Sequence, residues 1–187
     1  MLLNIYILSH PIIKLLSPSI TQLNTNEEIN HDNIKYIGIF LIYEITRKYI
    51  SLESIYIKKI FYIQEIHLPN KNEEYYIITD LVKTYKIIGE IQNLIPNIKI
   101  LHINNQRSLS EINIKEENNC LNQNKHIIIF ENIITTNLII NLIEQLNNKN
   151  NIKIKNIHIT CIACYNQVLD ELGQRYPQLN LYTTKII

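Results

Sequence analysis

Apolar positions recur along the chain with two different periods, and these periods predict its helices and strands. Spacings of three and four residues predict helices over residues 33–49 and 81–95, the second of which is stopped by Pro96. The same spacing predicts two further helices, over residues 134–146 and 167–176. Each helix has an apolar face, so each must pack against another layer of the protein.

Runs of β-branched residues between these helices predict strands. They lie at 55–66 (a strand pair or an edge strand), 98–103, 127–130, 154–163 and 179–182. The polar, Asn-rich stretch around residues 104–125 predicts a protruding loop or hairpin. Because strands alternate with helices, the predicted fold class is α/β, a mainly parallel sheet flanked by helices. One domain is expected over residues 1–187, with residues 1–32 as an N-terminal arm.

Isoleucine and asparagine dominate the composition: the 187 residues include 43 Ile and 26 Asn but only 3 Gly. Both residue types have A/T-rich codons, so the composition indicates the AT-rich genome of an organelle or a bacterium. With 46% hydrophobic and 19% charged residues, the chain can build a packed core. A formal net charge of +1 gives no reason to expect a nucleic-acid partner or an anionic membrane surface.

No segment has the pattern of a signal peptide or a membrane span. Residues 1–20 lack a basic start, and polar residues interrupt their apolar run. The most apolar window, 127–143, contains Glu131 and several Asn and Thr residues. The sequence therefore predicts a soluble protein with no membrane partner.

Cys161 and Cys164 form a C-x-x-C pair, a spacing that is also found in zinc and redox sites. Zinc would need two further ligands, and no second pair of suitable spacing follows. The two cysteines fall in a stretch that alternates like a buried strand, where cysteine acts as a small hydrophobic residue. We therefore predict no metal or redox site here.

The stretch after the predicted strand 127–130 is the first place to look for a ligand. Ligands of parallel sheets bind beyond the carboxyl ends of the strands, where Glu131 could hold a sugar diol and Thr135 or Thr136 a phosphate. Alternatively, a threonine caps the next helix and Glu131 is solvated. The pattern alone favours this second interpretation, because no glycine is present to let the backbone wrap around a phosphate.

Several short motifs of the sequence resemble those of the uracil phosphoribosyltransferases. The most specific is Leu41-Ile42-Tyr43-Glu44-Ile45-Thr46-Arg47, similar to the family's Leu-x-Tyr-Glu-Ala-Thr-Arg. The others, which follow in the family's order, are His10-Pro11-Ile12-Ile13, Leu94-Ile95-Pro96, His102-Ile103, Tyr176-Pro177 and Leu181-Tyr182-Thr183. The resemblance implies a type I phosphoribosyltransferase-like fold and a reaction in pyrimidine salvage, from uracil and phosphoribosyl pyrophosphate (PRPP) to UMP and pyrophosphate. The Glu44 match also has a structural interpretation, an i,i+4 pair with Lys48.

The resemblance also implies which residues would bind PRPP. They are Arg107, Glu131, Thr135 and Thr136. It implies no certain cofactor, except Mg²⁺ where PRPP still binds. The expected ligand is PRPP or a pyrimidine nucleotide, and a homo-oligomer is expected.

Other positions depart from the family. Val82 takes the place of an arginine that holds pyrophosphate, with Lys83 beside it, and Asn137-Leu138 replace the two glycines of the PRPP loop. The sequence given ends at Ile187, before the family's uracil-binding Gly-Asp-Ala-Gly-Asp segment. We therefore expect degraded or lost activity, and we assign no catalytic residue.

Three functional alternatives stay open at this point. The first is a weak or inactive phosphoribosyltransferase homologue, and the second an active enzyme whose base site is completed by another subunit. The third is a non-catalytic regulator on the same fold, which senses a nucleotide or binds another protein. The expected location is a plastid (chloroplast), or alternatively the cytoplasm of an AT-rich bacterium.

Overall fold

The computed structural model of the protein describes residues 3–17, 27–95, 97–103, 124–135, 138–148 and 152–187. The strands of its central sheet are β1 Asn4–Ile7, β4 Glu73–Thr79, β5 Lys99–His102, β6 Asn124–Ile134, β7 Ile157–Cys164 and β8 Asn180–Ile186. These six strands are parallel and lie in the order β1-β8-β7-β6-β4-β5. A separate antiparallel hairpin joins β2 (Leu52–Lys58) to β3 (Ile63–Pro69). The helices are α1 Pro11–Leu16, α2 Glu27–Tyr49, α3 Leu81–Leu94, α4 Leu138–Asn148 and α5 Asn166–Arg175, with a 3₁₀ turn at Ile154–Asn156.

The sheet is the middle layer of three, and each of its faces is covered by helices. α2 and α3 pack on one face, against residues such as Ile77, Ile128 and Ile162. α4 and α5 pack on the other face, against Ile129 and Ile159. Burial on both faces explains why β6 and β7 are almost continuously apolar. The prediction of a mainly parallel sheet flanked by helices is confirmed.

The sequence pattern missed two strands and misplaced one boundary. β4 was not predicted, because its first residues are glutamate and tyrosine, although its later residues are buried. β1 lies within the predicted N-terminal arm and pairs with β8 in the sheet. β6 continues to Ile134, so the prediction that a helix begins there is wrong; α4 begins at Leu138. Its neighbour β7 runs equally far and pairs with residues 133 and 134, which keeps the backbone extended.

The predicted helices over 33–49 and 81–95 and the predicted strand pair at 55–66 are confirmed. The first of these helices begins six residues earlier than predicted, at Glu27, and the other ends shift by up to three residues. The predicted loop or hairpin at 104–125 lies outside the described residues, except where β6 begins at Asn124. Both cysteines of the C-x-x-C pair are fully buried in β7, as the alternating pattern predicted. Within the described residues, no helix is both long enough and apolar enough to cross a membrane.

Two tyrosine rings and two histidine rings meet at the amino ends of the strands, next to the last turn of α2. Tyr49 stacks on His158 with ring centroids 3.7 Å apart, and Tyr75 stacks on His126 at 5.5 Å. The Tyr49 hydroxyl accepts a hydrogen bond from Asn180 Nδ2 at 3.1 Å. Neither ring nitrogen of His158 has a hydrogen-bond partner among the described residues, and the side chain is fully buried. Burial lowers the pKa of His158 to about 3, with smaller contributions from His126 and Lys48.

Candidate functional site

The strand order identifies one point in the sheet where a ligand crevice is expected. After β4 the chain crosses by α3 to β5 on one side, and after β6 it crosses by α4 to β7 on the other side. α3 and α4 lie on opposite faces of the sheet, so they diverge above the carboxyl ends of β4 and β6. Open parallel sheets bind their ligands at such a switch point. The candidate site therefore consists of the chain after β4 and the end of β6.

Asp80 connects β4 to α3 and caps the helix. A carboxylate oxygen of Asp80 accepts a hydrogen bond from the backbone N–H of Val82 at 3.1 Å. The Thr84 hydroxyl donates to the Asp80 carbonyl at 2.8 Å and lies 3.0 Å from the Thr79 hydroxyl, and both threonines are buried. These hydrogen bonds hold the first turn of α3 rigidly on the end of β4.

His102, the last residue of β5, is also attached to the start of α3. Its Nδ1 accepts a hydrogen bond from the backbone N–H of Leu81 at 3.1 Å. An accepting Nδ1 requires that the neutral ring carries its proton on Nε2, which leaves a donor on the exposed side of the ring. The ends of β4 and β5 thus meet at one helix N-terminus, where backbone N–H groups favour negatively charged ligands.

Glu131 and Asn132 are consecutive residues of β6, and Asn132 contacts the start of α3. Asn132 Nδ2 donates to the backbone carbonyl of Lys83 at 3.2 Å, which joins β6 to the first turn of α3. Burial raises the pKa of the Glu131 carboxyl; the Lys83 ammonium opposes this shift, and the Asp80 carboxylate adds to it. The prediction that Glu131 belongs to a loop after the strand is wrong, since β6 continues and Glu131 pairs in register with Cys161.

Lys83 supplies the positive charge of this arrangement. Its ammonium lies 3.3 Å from a carboxylate oxygen of Asp80, and the Lys83 side chain is 60% exposed. Val82, the neighbouring residue, is 77% exposed. Val82 cannot help to bind an anion, since its methyl groups offer no hydrogen-bond donor.

Of the four predicted PRPP-binding residues, the structure describes two. Glu131 lies at the switch point, and Thr135 lies exposed just after β6. Arg107 and Thr136 lie outside the described residues. The sequence pattern missed Asp80 and Asn132. A signal for Asp80 was available, since an aspartate between a strand and a helical pattern is typical of a helix cap.

Residues of three other motifs line a groove of about 700 Å³ at the β1 edge of the sheet, between β1, α1 and α2. His10, Tyr43 and Glu44 line this groove together with Tyr6 and Tyr182. Glu44 pairs with Arg47 one turn along α2, and not with Lys48 as its structural interpretation suggested. The Lys48 ammonium lies instead over the Tyr6 ring, 5.0 Å from its centroid. This cation–π contact forms because Tyr6 in β1 lies next to the end of α2.

Known proteins of one family match this chain over almost its whole length. The family model described as uracil phosphoribosyltransferase matches residues 7–186. The chain is 28% identical to a uracil phosphoribosyltransferase homolog of Porphyra purpurea and 26% identical to one of Pyropia yezoensis, each over 186 residues. Both alignments cover 100% of this chain and 89% of the relative.

A solved structure has a similar fold. It is that of the AQ2163 protein from Aquifex aeolicus, with a TM-score of 0.72 and 16% sequence identity. The match covers 97% of this chain and 86% of that one. At this level of identity, the likeness shows a shared fold.

Proposed function

Because the chain belongs to the uracil phosphoribosyltransferase family, we propose that it is a diverged homologue whose transfer reaction is weak or lost. The observation that carries the proposal is the composition of the switch point. Val82, which the resemblance aligns with a pyrophosphate-binding arginine, is exposed there, and the nearby Lys83 is paired with a carboxylate. Losing one positioned charge at a reacting phosphate costs on the order of 10²-fold in rate.

The direct test is the family's own reaction. Purified protein is supplied with labelled uracil and PRPP in the presence of Mg²⁺, and UMP is separated and counted. We expect no UMP, or a rate at least about 10²-fold below ordinary turnover, because electrostatic stabilisation of the leaving pyrophosphate is reduced. UMP formation at an ordinary enzyme rate would overturn the proposal.

Val82→Arg gives a matched gain of function in the same assay. Because Val82 is 77% exposed, an arginine side chain fits there without repacking the core. Its planar guanidinium can bind a phosphate through two hydrogen bonds. We expect tighter PRPP binding by Val82→Arg than by wild type, and Val82→Gln, which adds a long side chain without charge, serves as the control.

In this proposal Mg²⁺ binds together with PRPP. Asp80 and Glu131 offer carboxylate oxygens, the ligand type that Mg²⁺ prefers. However, the described part of the chain brings no three His, Cys, Asp or Glu side chains close enough together to hold a metal ion. We therefore assign Mg²⁺ to PRPP, whose phosphates would carry it, and assign no metal ligand among the residues that the structure describes.

A non-catalytic regulator on the same fold is the alternative. It is favoured by the same features that argue against turnover, since a site can bind a nucleotide without stabilising a transition state. Calorimetric titration with PRPP, UMP and GTP separates the two: binding without UMP formation supports a sensor. Loss of that binding in Arg107→Ala and Glu131→Ala would assign it to the PRPP-like site.

We also propose that the protein is a homo-oligomer in which a second copy covers the β2–β3 hairpin. Every residue of β2 is exposed, and at the tip Ile60 and Phe61 are 91% and 94% exposed. An isolated two-stranded hairpin is at best marginally stable in water, and apolar surface of this kind marks an interface. Light scattering after gel filtration should give a multiple of 22.1 kDa for wild type and the monomer mass for Ile60→Lys/Phe61→Lys. A monomeric wild type would contradict this proposal.

A plastid is the location that we propose. The relatives named above come from red algae, and the AT-rich composition fits an organelle genome. Finding the coding sequence in a nuclear or bacterial genome would contradict this proposal.

A further inference from the structure

The carboxylate of Asp80 uses the same donors that a pyrophosphate group would need. One of its oxygens accepts from the Val82 N–H at the start of α3, at 3.1 Å. The other lies 3.3 Å from the Lys83 ammonium. A helix N-terminus and a neighbouring ammonium are the elements from which proteins build phosphate sites. Here a side chain of the protein itself already occupies them.

We propose that Asp80 is a specificity-determining residue, whose carboxylate takes the place of the ligand's anion and so weakens binding of pyrophosphate-bearing ligands. This inference rests on the proposed function, which makes the switch point the PRPP-like site. It goes further by assigning the weak binding to one carboxylate, in addition to the missing arginine at Val82.

The charges around Lys83 point the same way. The Asp80 carboxylate already pairs with the Lys83 ammonium at 3.3 Å, and both groups influence the pKa of Glu131 in the neighbouring strand. An incoming pyrophosphate would bring further negative charge beside the Asp80 carboxylate. Like charges brought together at a binding site oppose association strongly. We expect that removing the Asp80 charge tightens pyrophosphate binding by about tenfold or more.

A purely structural role for Asp80 makes a different prediction. As a helix cap, Asp80 would stabilise α3 and have no effect on ligands. Asparagine caps helices about as well as aspartate, because its side-chain oxygen accepts the same hydrogen bond. Asp80→Asn therefore keeps the cap and removes only the charge, so it separates the two roles without unfolding the helix.

The experiment is calorimetric titration of the full-length protein with inorganic pyrophosphate in magnesium-free buffer, repeated with PRPP. Asp80→Asn should bind pyrophosphate about tenfold or more tightly than wild type. Asp170→Asn, which removes an exposed carboxylate on α5, is the matched control and should bind like wild type. In Asp80→Asn/Lys83→Gln the gain should disappear, because the released ammonium is no longer present to bind the ligand.

The outcomes distinguish the inference from the proposed function. Measurable binding that is equal in wild type and Asp80→Asn would overturn the role of Asp80 and leave the PRPP-like site standing. An equal gain in Asp170→Asn would also overturn it, since the effect would then be one of overall charge. Failure of every folded variant to bind either pyrophosphate or PRPP at millimolar concentration would overturn the premise that the switch point is a PRPP-like site, on which this inference rests. Circular dichroism and urea unfolding establish that each variant is folded.

Discussion

Replacing His158 by phenylalanine removes a titratable ring from the interior of the fold. His158 lies in β7 with no exposed surface, and it stacks on Tyr49 at the end of α2. The charged groups around it are Lys48 on α2, His126 on β6 and, beyond His126, Glu73 on β4. A phenylalanine ring can keep the stacking and the volume, but it cannot take up a proton.

The magnitude follows from the difference between the folded and unfolded pKa. Burial lowers the pKa of His158 to about 3 in the folded protein, whereas an unfolded histidine titrates near about 6.5. Between these values the unfolded chain binds a proton that the folded chain does not, so stability falls as the pH falls. The slope is about 1.4 kcal/mol per pH unit, which amounts to about 2 kcal/mol between pH 6.5 and pH 5. Above about pH 6.5 this contribution is fully present and constant.

Urea unfolding of wild type and His158→Phe at pH 8 and at pH 5 measures this contribution. Carboxylates also titrate as the pH falls, so the informative quantity is the difference between the two proteins. His158→Phe should lose about 2 kcal/mol less than wild type between pH 8 and pH 5. His67→Phe, at an exposed position on β3, is the control and should follow wild type.

Equal losses of stability in wild type and His158→Phe would refute the reasoning. Such a result would mean that His158 is charged in the folded protein, or that water reaches the His158 ring before it titrates. Destabilisation of His158→Phe at pH 8 alone would not rescue the argument, because the prediction concerns the pH dependence. A smaller loss in His67→Phe than in wild type would likewise refute the assignment to His158.

Two further predictions concern the packing and hydrogen bonds of α3. A methyl group at Gly38 of α2 would lie 2.7 Å from Cδ1 of the buried Ile87, so Gly38→Ala should destabilise the protein by about 1 kcal/mol despite alanine's higher helix propensity. A methyl group at Gly89, on the exposed side of α3, would have no atom within 4 Å, so Gly89→Ala should stabilise the protein by about 0.5–1 kcal/mol. If Gly38→Ala and Gly89→Ala shifted the urea midpoint in the same direction, both of these predictions would be contradicted. Thr84→Val leaves the buried Thr79 hydroxyl without its partner and should cost about 1–3 kcal/mol, whereas an unchanged midpoint would contradict the hydrogen bond.

The candidate site was only partly predictable from the sequence. Glu131 was singled out because an acid after an apolar run is typical of the end of a parallel strand, but β6 continues past it to Ile134. Asn132 was missed because its role depends on a contact across 49 residues of sequence, the hydrogen bond to the Lys83 carbonyl. Periodicity within one segment carries no information about such a contact. Asp80 did have a local signal, its position as a helix cap between a strand and a helix.

The sequence by itself determined the alternation of strands and helices, because burial on one or two faces leaves a local pattern of apolar positions. It also determined the family, since the motif around Tyr43 and Glu44 is a matter of residue identity and order, and with the family came the type I phosphoribosyltransferase-like class. Only the tertiary structure decided which strand ends meet. The crossing of α3 to one face and α4 to the other brings Asp80, Lys83 and Glu131 together. The electrostatic interaction among them depends on separation and burial, and no local pattern of the sequence contains either quantity.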